Sequence, residues 1–506
     1  MLRTLTFLFA GWAPLLAVAA GESHDSSRLH LVASGEPRPL PDRIFGASVE
    51  PFVEHMIGDP AKTEALKKMH IGLTRFPGGS QSNFYDWRTG LFEIHLRPDS
   101  SEYMHFWAKV MPMMARRFPK GISAEEYKPF VESFGAESIL VPNLETSTVQ
   151  SQAQWFKRLA QAGAVPTRIE LGNEFYIAMG NDPAGLEKWP NEPVALRTMK
   201  EYYDAIKPFL PKGAKVAVQA AGAAFHIQNA RGKWQQRMVQ WDADLKPEPW
   251  FDAVTVHLYP RLADVLGEPG ADEVALSDKN AVPRLQALMA HMDSGVGRVL
   301  ADIEKHLPSK EIWVTEWNPH GATTWQNKPE PTSPAMALQL VTRTALVYLR
   351  FPSVTHQLFF MFTFYPKGPH TYFVEKDGKY EPTAIAVALS WLDEAANAGG
   401  TFQRMVDSGA RPIEGKNAWP DSYREVEGAV FRSGKKTTLI IQNASAESRR
   451  VVLKSIAEDK PHSIEVLAMS DFTDMKRKAA DIDNCRPAEA IKVPAYSITR
   501  VVWPEP

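Results

Sequence analysis

From Ile44 to about Ala398, short runs rich in β-branched and aromatic residues alternate with longer stretches in which apolar side chains recur at helical spacing. Eight such runs stand out: Ile44–Val49, Ile71–Phe76, Ser138–Leu144, Thr167–Leu171, Lys215–Ala220, Ala253–Leu258, Ile312–Thr315 and Thr355–Phe364. Strand followed by helix, repeated eight times, predicts parallel strands closed into a barrel. The helical stretches carry their own start signals. Ser123-Ala-Glu-Glu126 has capping-box spacing and leads into Tyr127, Phe130, Val131 and Phe134 on one face. Pro382 to Ala396 reads as the helix after the eighth strand.

Beyond Gly399 the period shortens to that of strands and turns. Ala429–Arg432 and Thr437–Gln442 flank Ser-Gly-Lys-Lys, a hairpin signal, and Arg450–Lys454, Ser463–Met469 and Ile491–Trp503 follow. The predicted fold is thus α/β, a (β/α)8 TIM barrel over residues 41–398 with a C-terminal β-sandwich over 399–506. A strand from residues 25–40, where Leu29–Ala33 is strand-like, is expected to join the sandwich. Residues 1–20 read as a signal peptide: Arg3 precedes an apolar stretch from Leu5 to Val18 that ends in Ala17-Val-Ala19. The expected location is secreted or periplasmic, and no later run is long enough to span a membrane.

Charge narrows the partners. With 57 basic and 59 acidic side chains in 506 residues, the net charge of −2 supplies no drive toward nucleic acid or an anionic membrane. A carbohydrate substrate fits that balance; oligomeric state is not encoded in it. The lone cysteine, Cys485, lies in a polar stretch away from every motif and cannot form an internal disulfide. Asn443-Ala-Ser445 is a glycosylation sequon.

The chemistry concentrates in two peptides, Arg168-Ile-Glu-Leu-Gly-Asn-Glu174 and Glu311-Ile-Trp-Val-Thr-Glu316-Trp-Asn. Each reads as a buried strand ending on a glutamate, and strand ends form the active face of a barrel. Two carboxylates delivered this way match glycoside hydrolysis, in which one protonates the leaving oxygen and the other attacks or activates water. Singly, each has a plainer reading: Asn173-Glu174 as a helix cap, Trp317 as core packing. Arg75 could hold Glu316 ionised or pair with any barrel acid; His257 could orient a carboxylate or bond to backbone; Tyr259 could donate to Glu316 or elsewhere. A metal site built from His257, Glu316 and His320 lacks any H-E-x-x-H spacing, so no metal and no cofactor are expected.

In order along the chain, Gly46-Ala-Ser-Val-Glu50, Arg75-Phe-Pro-Gly-Gly79, Tyr85-Asp-Trp-Arg-Thr-Gly90, Phe134-Gly-Ala-Glu137 leading to Asn143-Leu144, Leu171-Gly-Asn-Glu174, Val256-His-Leu-Tyr259, Glu316-Trp-Asn318 and Val493-Pro-Ala-Tyr-Ser-Ile resemble motifs of one group. It is the clan of retaining (β/α)8 glycoside hydrolases, and within it the family 51 α-L-arabinofuranosidases. The resemblance implies a retaining exo-glycosidase with Glu174 as acid/base and Glu316 as nucleophile; secretion is added by the leader, where the chain departs from the family's many intracellular members. It also implies that Glu50, Arg75, Asn173, His257, Tyr259 and Trp317 bind the substrate. The chain departs from the family at Ser80, where an asparagine is usual, with Asn83 three positions on. It departs again in Leu91–Phe118, a stretch expected either to roof the pocket or to pack as an outer helix. Two alternatives stay open: a β-glucuronidase or heparanase-like glycosidase, which would want further cations in the pocket, and a non-catalytic carbohydrate-binding protein on the same scaffold.

Overall fold

The computed structural model describes residues 28–49, 51–223, 233–260, 262–268, 270–319, 332–360, 363–364, 371–397, 399–415, 420–434, 436–453, 456, 461–476, 478–486 and 490–504. The leader at residues 1–20, Glu50 and His320 lie outside the described residues.

Eight parallel strands close the barrel: β1 (Phe45–Ala47), β2 (Leu73–Phe76), β3 (Glu137–Leu140), β4 (Arg168–Glu170), β5 (Lys215–Gln219), β6 (Ala253–Leu258), β7 (Glu311–Trp317) and β8 (Val354–Phe359). Strict alternation along each strand sends every second side chain into the lumen. Leu73, Ile139, Ala217, Ala253, Trp313 and Leu358 form a fully buried apolar layer there. The two alanines leave the volume that the Trp313 indole fills, as close packing of so narrow a lumen requires. Above this layer the inward positions turn polar, with Arg75, Glu170, Gln219, Thr255, His257 and Thr315 all buried.

Strand β7 breaks the alternation toward its carboxyl end. Against β6, Thr255 pairs with Trp313 and His257 with Glu316; against β8, Val314 pairs with Gln357 and Trp317 with Phe359. Both neighbours therefore see one extra residue on β7 between Trp313 and Trp317. Such a bulge re-aims a side chain, so Thr315 and Glu316 both face the lumen although they are consecutive.

The helix Glu102–Arg117 occupies the stretch between β2 and β3 and buries Met104, Trp107, Met111 and Met114. The capping box at Ser123 forms, with Glu126 returning its carboxylate to the Ser123 backbone. Among the described residues no helix is long and apolar enough to cross a membrane.

The C-terminal part is a sandwich of two sheets. The larger has seven strands in the order Leu31–Pro39, Thr401–Asp407, Val426–Ser433, Lys436–Asn443, Ser497–Pro504, Ser463–Ala468 and Asp483–Cys485. The smaller has Arg28–Leu29, Arg449–Val452 and Ala490–Val493. Leu31, Val430, Leu439, Ile441 and Val501 from the first pack on Leu29, Val451, Ile491 and Val493 from the second. Asn443 is wholly buried and its side-chain nitrogen donates to the carbonyls of Glu447 and Pro494, at 2.8 and 2.7 Å, so the folded sequon presents no acceptor.

Barrel and sandwich are joined by the helix Pro334–Tyr348, every residue of which is buried. It carries Arg343, which donates to Asp293 at 2.6 Å on the barrel side and to Gln442 at 2.7 Å on the sandwich side. Glu427 of the sandwich accepts from both Arg350 and Arg404. Fully satisfied buried charges of this kind fix how two surfaces meet more than they add stability.

Candidate active site

The polar upper layer of the barrel is one hydrogen-bonded unit built around Arg75, which β2 points into the lumen. Its guanidinium donates to both carboxylate oxygens of Glu170, at 2.8 and 2.7 Å, to the side-chain oxygen of Asn173 at 2.9 Å, and to one oxygen of Glu316. Arginine suits this post because its planar fork serves several acceptors at once and stays charged. Both sequence readings of Arg75 are therefore met, since it pairs with a structural acid and with the strand-end glutamate.

Glu316 is held from two sides. Arg75 takes one oxygen, and the Tyr259 hydroxyl donates to the other at 2.6 Å. Beneath it runs the backbone of Gly79, where a Cβ would stand 2.5 Å from the Glu316 oxygen. A Gly79→Ala substitution is expected to displace the carboxylate and lower any turnover about a hundredfold while leaving the melting temperature within a few degrees, checked by kinetics and thermal unfolding.

Glu174 closes the β4 peptide in a left-handed conformation, φ 53°, two residues after Gly172 at φ 79°. A side chain at Gly172 would overlap the Phe175 ring. This turn lifts Asn173 and Glu174 out of the strand direction toward the mouth, and a non-glycine residue at positive φ marks a place the surroundings must enforce. His257 from β6 meets Glu174 at 2.9 Å through Nδ1. Its Nε2 lies 3.1 Å from the Thr315 hydroxyl, which in turn donates to Glu170 at 3.3 Å. Tyr176 places its hydroxyl 3.3 Å from Glu174.

The electrostatics follow from this packing. Burial alone would neutralise His257, but the carboxylates of Glu316, Glu170 and Glu174 around it raise its pKa to about 10. Burial pushes the Glu174 carboxyl up; the hydrogen bond and charge of His257, with Arg75 behind, outweigh it and hold Glu174 below its ordinary value. The Tyr259 phenol is driven far up by burial and by Glu316 beside it, so it remains a donor. Ligand atoms of Glu174, His257 and Glu316 all lie within 4.8 Å of one another. The bonds that Arg75, Tyr259 and Thr315 make to these groups suit the set to moving protons and meeting hydroxyls.

Glu174, Glu316, Arg75, Asn173, His257 and Tyr259 are thus brought together. Trp317 is not. The β7 bulge turns it out of the lumen, where it is 1 % exposed and packs edge-on against Tyr348 and Phe359 with ring centres 5.3 and 5.1 Å away. It is a packing residue, not a stacking surface for a sugar. Glu170 and Thr315, which sequence reasoning passed over, are integral to the site; their only signal was an inward position on a strand already bearing a candidate.

No protein-family model matches the sequence, and no curated protein is significantly similar to it. Solved structures are. A family 51 α-L-arabinofuranosidase from Bifidobacterium longum superposes with a TM-score of 0.64 at 13 % identity, covering 94 % of this chain and 98 % of that one. The chain shares that two-domain fold. A family 44 xyloglucanase from Paenibacillus polymyxa gives 0.59 at 12 % identity, over 95 % and 100 % of the two chains. A 4-O-α-L-rhamnosyl-β-D-glucuronidase from Fusarium oxysporum gives 0.55 at 12 % identity, over 94 % and 100 %. The family 51 resemblance read from short motifs thus extends to an architecture that spans nearly the whole chain.

Proposed function

We propose that this protein is a retaining, exo-acting glycosidase in which Glu174 is the acid/base and Glu316 the nucleophile. The observation that carries the reading is the spacing of the two strand-end carboxylates, whose nearest oxygens lie within 4.8 Å. Retaining pairs stand about 5 to 5.5 Å apart, whereas inverting pairs need about 6.5 to 9.5 Å to admit a water. Their surroundings also differ. Glu316 accepts from the Arg75 guanidinium and the Tyr259 hydroxyl, while Glu174 shares a proton-bearing hydrogen bond with His257.

In the first step a Glu316 oxygen bonds to the anomeric carbon as the glycosidic C–O bond breaks. The departing oxygen takes its proton from Glu174, which draws on the one held between Glu174 and His257. In the second, Glu174 removes a proton from water, the water oxygen bonds to the anomeric carbon, and Glu316 leaves. Arg75 and Tyr259 hold Glu316 in line throughout.

The His257 proton has a measurable consequence. Its folded pKa, about 10, lies above the ordinary 6.5, so the stabilisation it brings is complete below about pH 6.5 and is lost as the pH rises to about 10. Denaturant unfolding of wild type and His257→Gln at pH 6 and pH 10 is expected to show their stability difference shrinking by on the order of a few kcal/mol at the higher pH. A pH-independent difference would contradict the assignment.

The test of function is a panel of aryl glycosides, furanosides and pyranosides, neutral and acidic, with product anomers read by proton NMR. α-L-Arabinofuranosides lead the panel because of the motifs, and β-glucuronides are included because of the Fusarium enzyme. Neutral sugars are favoured, since the cations beside the carboxylates among the described residues, Arg75 and His257, are already engaged by acids. Inversion at the anomeric centre would refute the two-step route, and sugar binding without turnover would favour a carbohydrate-binding protein. We further infer export from the Met1–Ala20 leader; a mature protein still beginning at Met1 would speak against it.

A further inference from the structure

The helix Glu102–Arg117 brings a tyrosine hydroxyl to the segment that lies against Glu316. Tyr103, in its first turn, donates its hydroxyl to Ser80 at 2.6 Å. Ser80 directly follows Gly79, whose backbone lies against Glu316. Burial, then Glu174, and more weakly Glu316, push the Tyr103 phenol up, placing it within electrostatic reach of both acids. Because Tyr103 donates to Ser80, the serine keeps its own proton for a further acceptor.

The position of Tyr103 is enforced by its surroundings. The chain from Ala178 to Asn181 runs at φ 43°, 51°, 72° and 62°, four consecutive residues in the left-handed region that only glycine adopts freely. Gly180 sits so close that a Cβ there would stand 2.7 Å from that of Tyr103. Ser101 clamps the turn, donating its hydroxyl to the Met179 carbonyl at 2.9 Å and its amide to Asp182 at 2.8 Å. Asn83, just beyond Ser80, donates to the Asn173 carbonyl at 3.0 Å. A strained turn held at this many points, in the loop that carries Glu174, is built to put Tyr103 in one place.

We propose that Tyr103, with Ser80, is a specificity-determining residue that roofs the sugar pocket and reads one hydroxyl of the glycone. This deepens the glycosidase reading and rests on it. It identifies the substrate as a glycoside with a hydroxyl on the face above Glu316, where the phenol and the serine form a paired donor and acceptor.

The experiment pairs Tyr103→Phe, which keeps the ring against Gly180 and Trp107, with monodeoxy analogues of the best aryl glycoside from the panel. KM for the parent sugar is expected to rise about tenfold with kcat within threefold and the pH profile unmoved, and for one deoxy position the difference between wild type and variant should vanish. Ser80→Ala should lose discrimination at the same position. Equal losses on the parent and every deoxy analogue, or no change at all, would overturn the proposal. If wild type turns over no glycoside, the glycosidase reading fails by itself. Calorimetric binding of the free sugars then decides Tyr103, with undiminished affinity in Tyr103→Phe, or no binding to wild type, counting against it.

Discussion

Replacing Glu316 by glutamine is expected to lower kcat on any turned-over aryl glycoside by at least about 10⁴-fold, because an amide oxygen cannot form the glycosyl ester and no neighbouring carboxylate shares its position. In Glu316→Gln the amide oxygen would still accept from Arg75 while the amide nitrogen donates to the rotated Tyr259 hydroxyl, and Glu170 still offsets the Arg75 charge at zero exposure. The fold is therefore expected to survive, with a melting temperature at or slightly above that of wild type, since three acids around one histidine become two. Steady-state kinetics and thermal unfolding on the same preparation check both halves. Activity within tenfold of wild type would remove Glu316 from the nucleophile role.

The second large effect falls on stability as well as activity. Arg75→Met deletes the cation that, among the described residues, meets Glu170 in a bidentate pair, leaving a wholly buried carboxylate with the Thr315 hydroxyl and the His257 ring 3.7 Å away. Breaking such a pair from one side costs about 3 to 5 kcal/mol. Adding Glu170→Gln to Arg75→Met is expected to restore most of that stability, since the stranded charge is gone. It should not restore turnover, because Glu316 and Asn173 lose their common donor in both variants. Chemical denaturation of the four proteins in this cycle measures the coupling, and kinetics separates it from catalysis. Recovery of activity in the double variant would mean that Arg75 serves only the fold.

What the sequence disclosed was what alternation and strand ends disclose. The eight strands surfaced as apolar runs because a parallel barrel buries both faces of each strand, and Glu174 and Glu316 surfaced because they interrupt those runs at the carboxyl end. Glu170 remained hidden for the opposite reason: it lies inside its run, and only a partner 95 residues away explains its charge. Trp317 misled because the resemblance and its place beside Glu316 set it in the pocket, whereas consecutive residues of a strand take opposite faces. The extra residue in β7 is what brings Glu316 to the lumenal face and so leaves Trp317 outside it, which the paired registers of β6 and β8 reveal and a single strand's sequence cannot. Tyr103 escaped because nothing in a stretch rich in aromatics, methionine and basic residues says which side chain faces inward; the turn at Ala178–Asn181, far along the chain, decides it.

The irregularity in β7 also bears on how such a scaffold can change over evolutionary time. Loss of Thr315 would leave Trp313 opposite Thr255 and Glu316 opposite His257 in a regular ladder against β6, so the acid would keep its place in the lumen while the hydroxyl between His257 and Glu170 disappeared. A descendant could thus shed the link beneath its acid pair by the deletion of one codon, without the replacement of either glutamate. In a lineage scored by whether its glutamates are present, such a descendant would pass as unchanged.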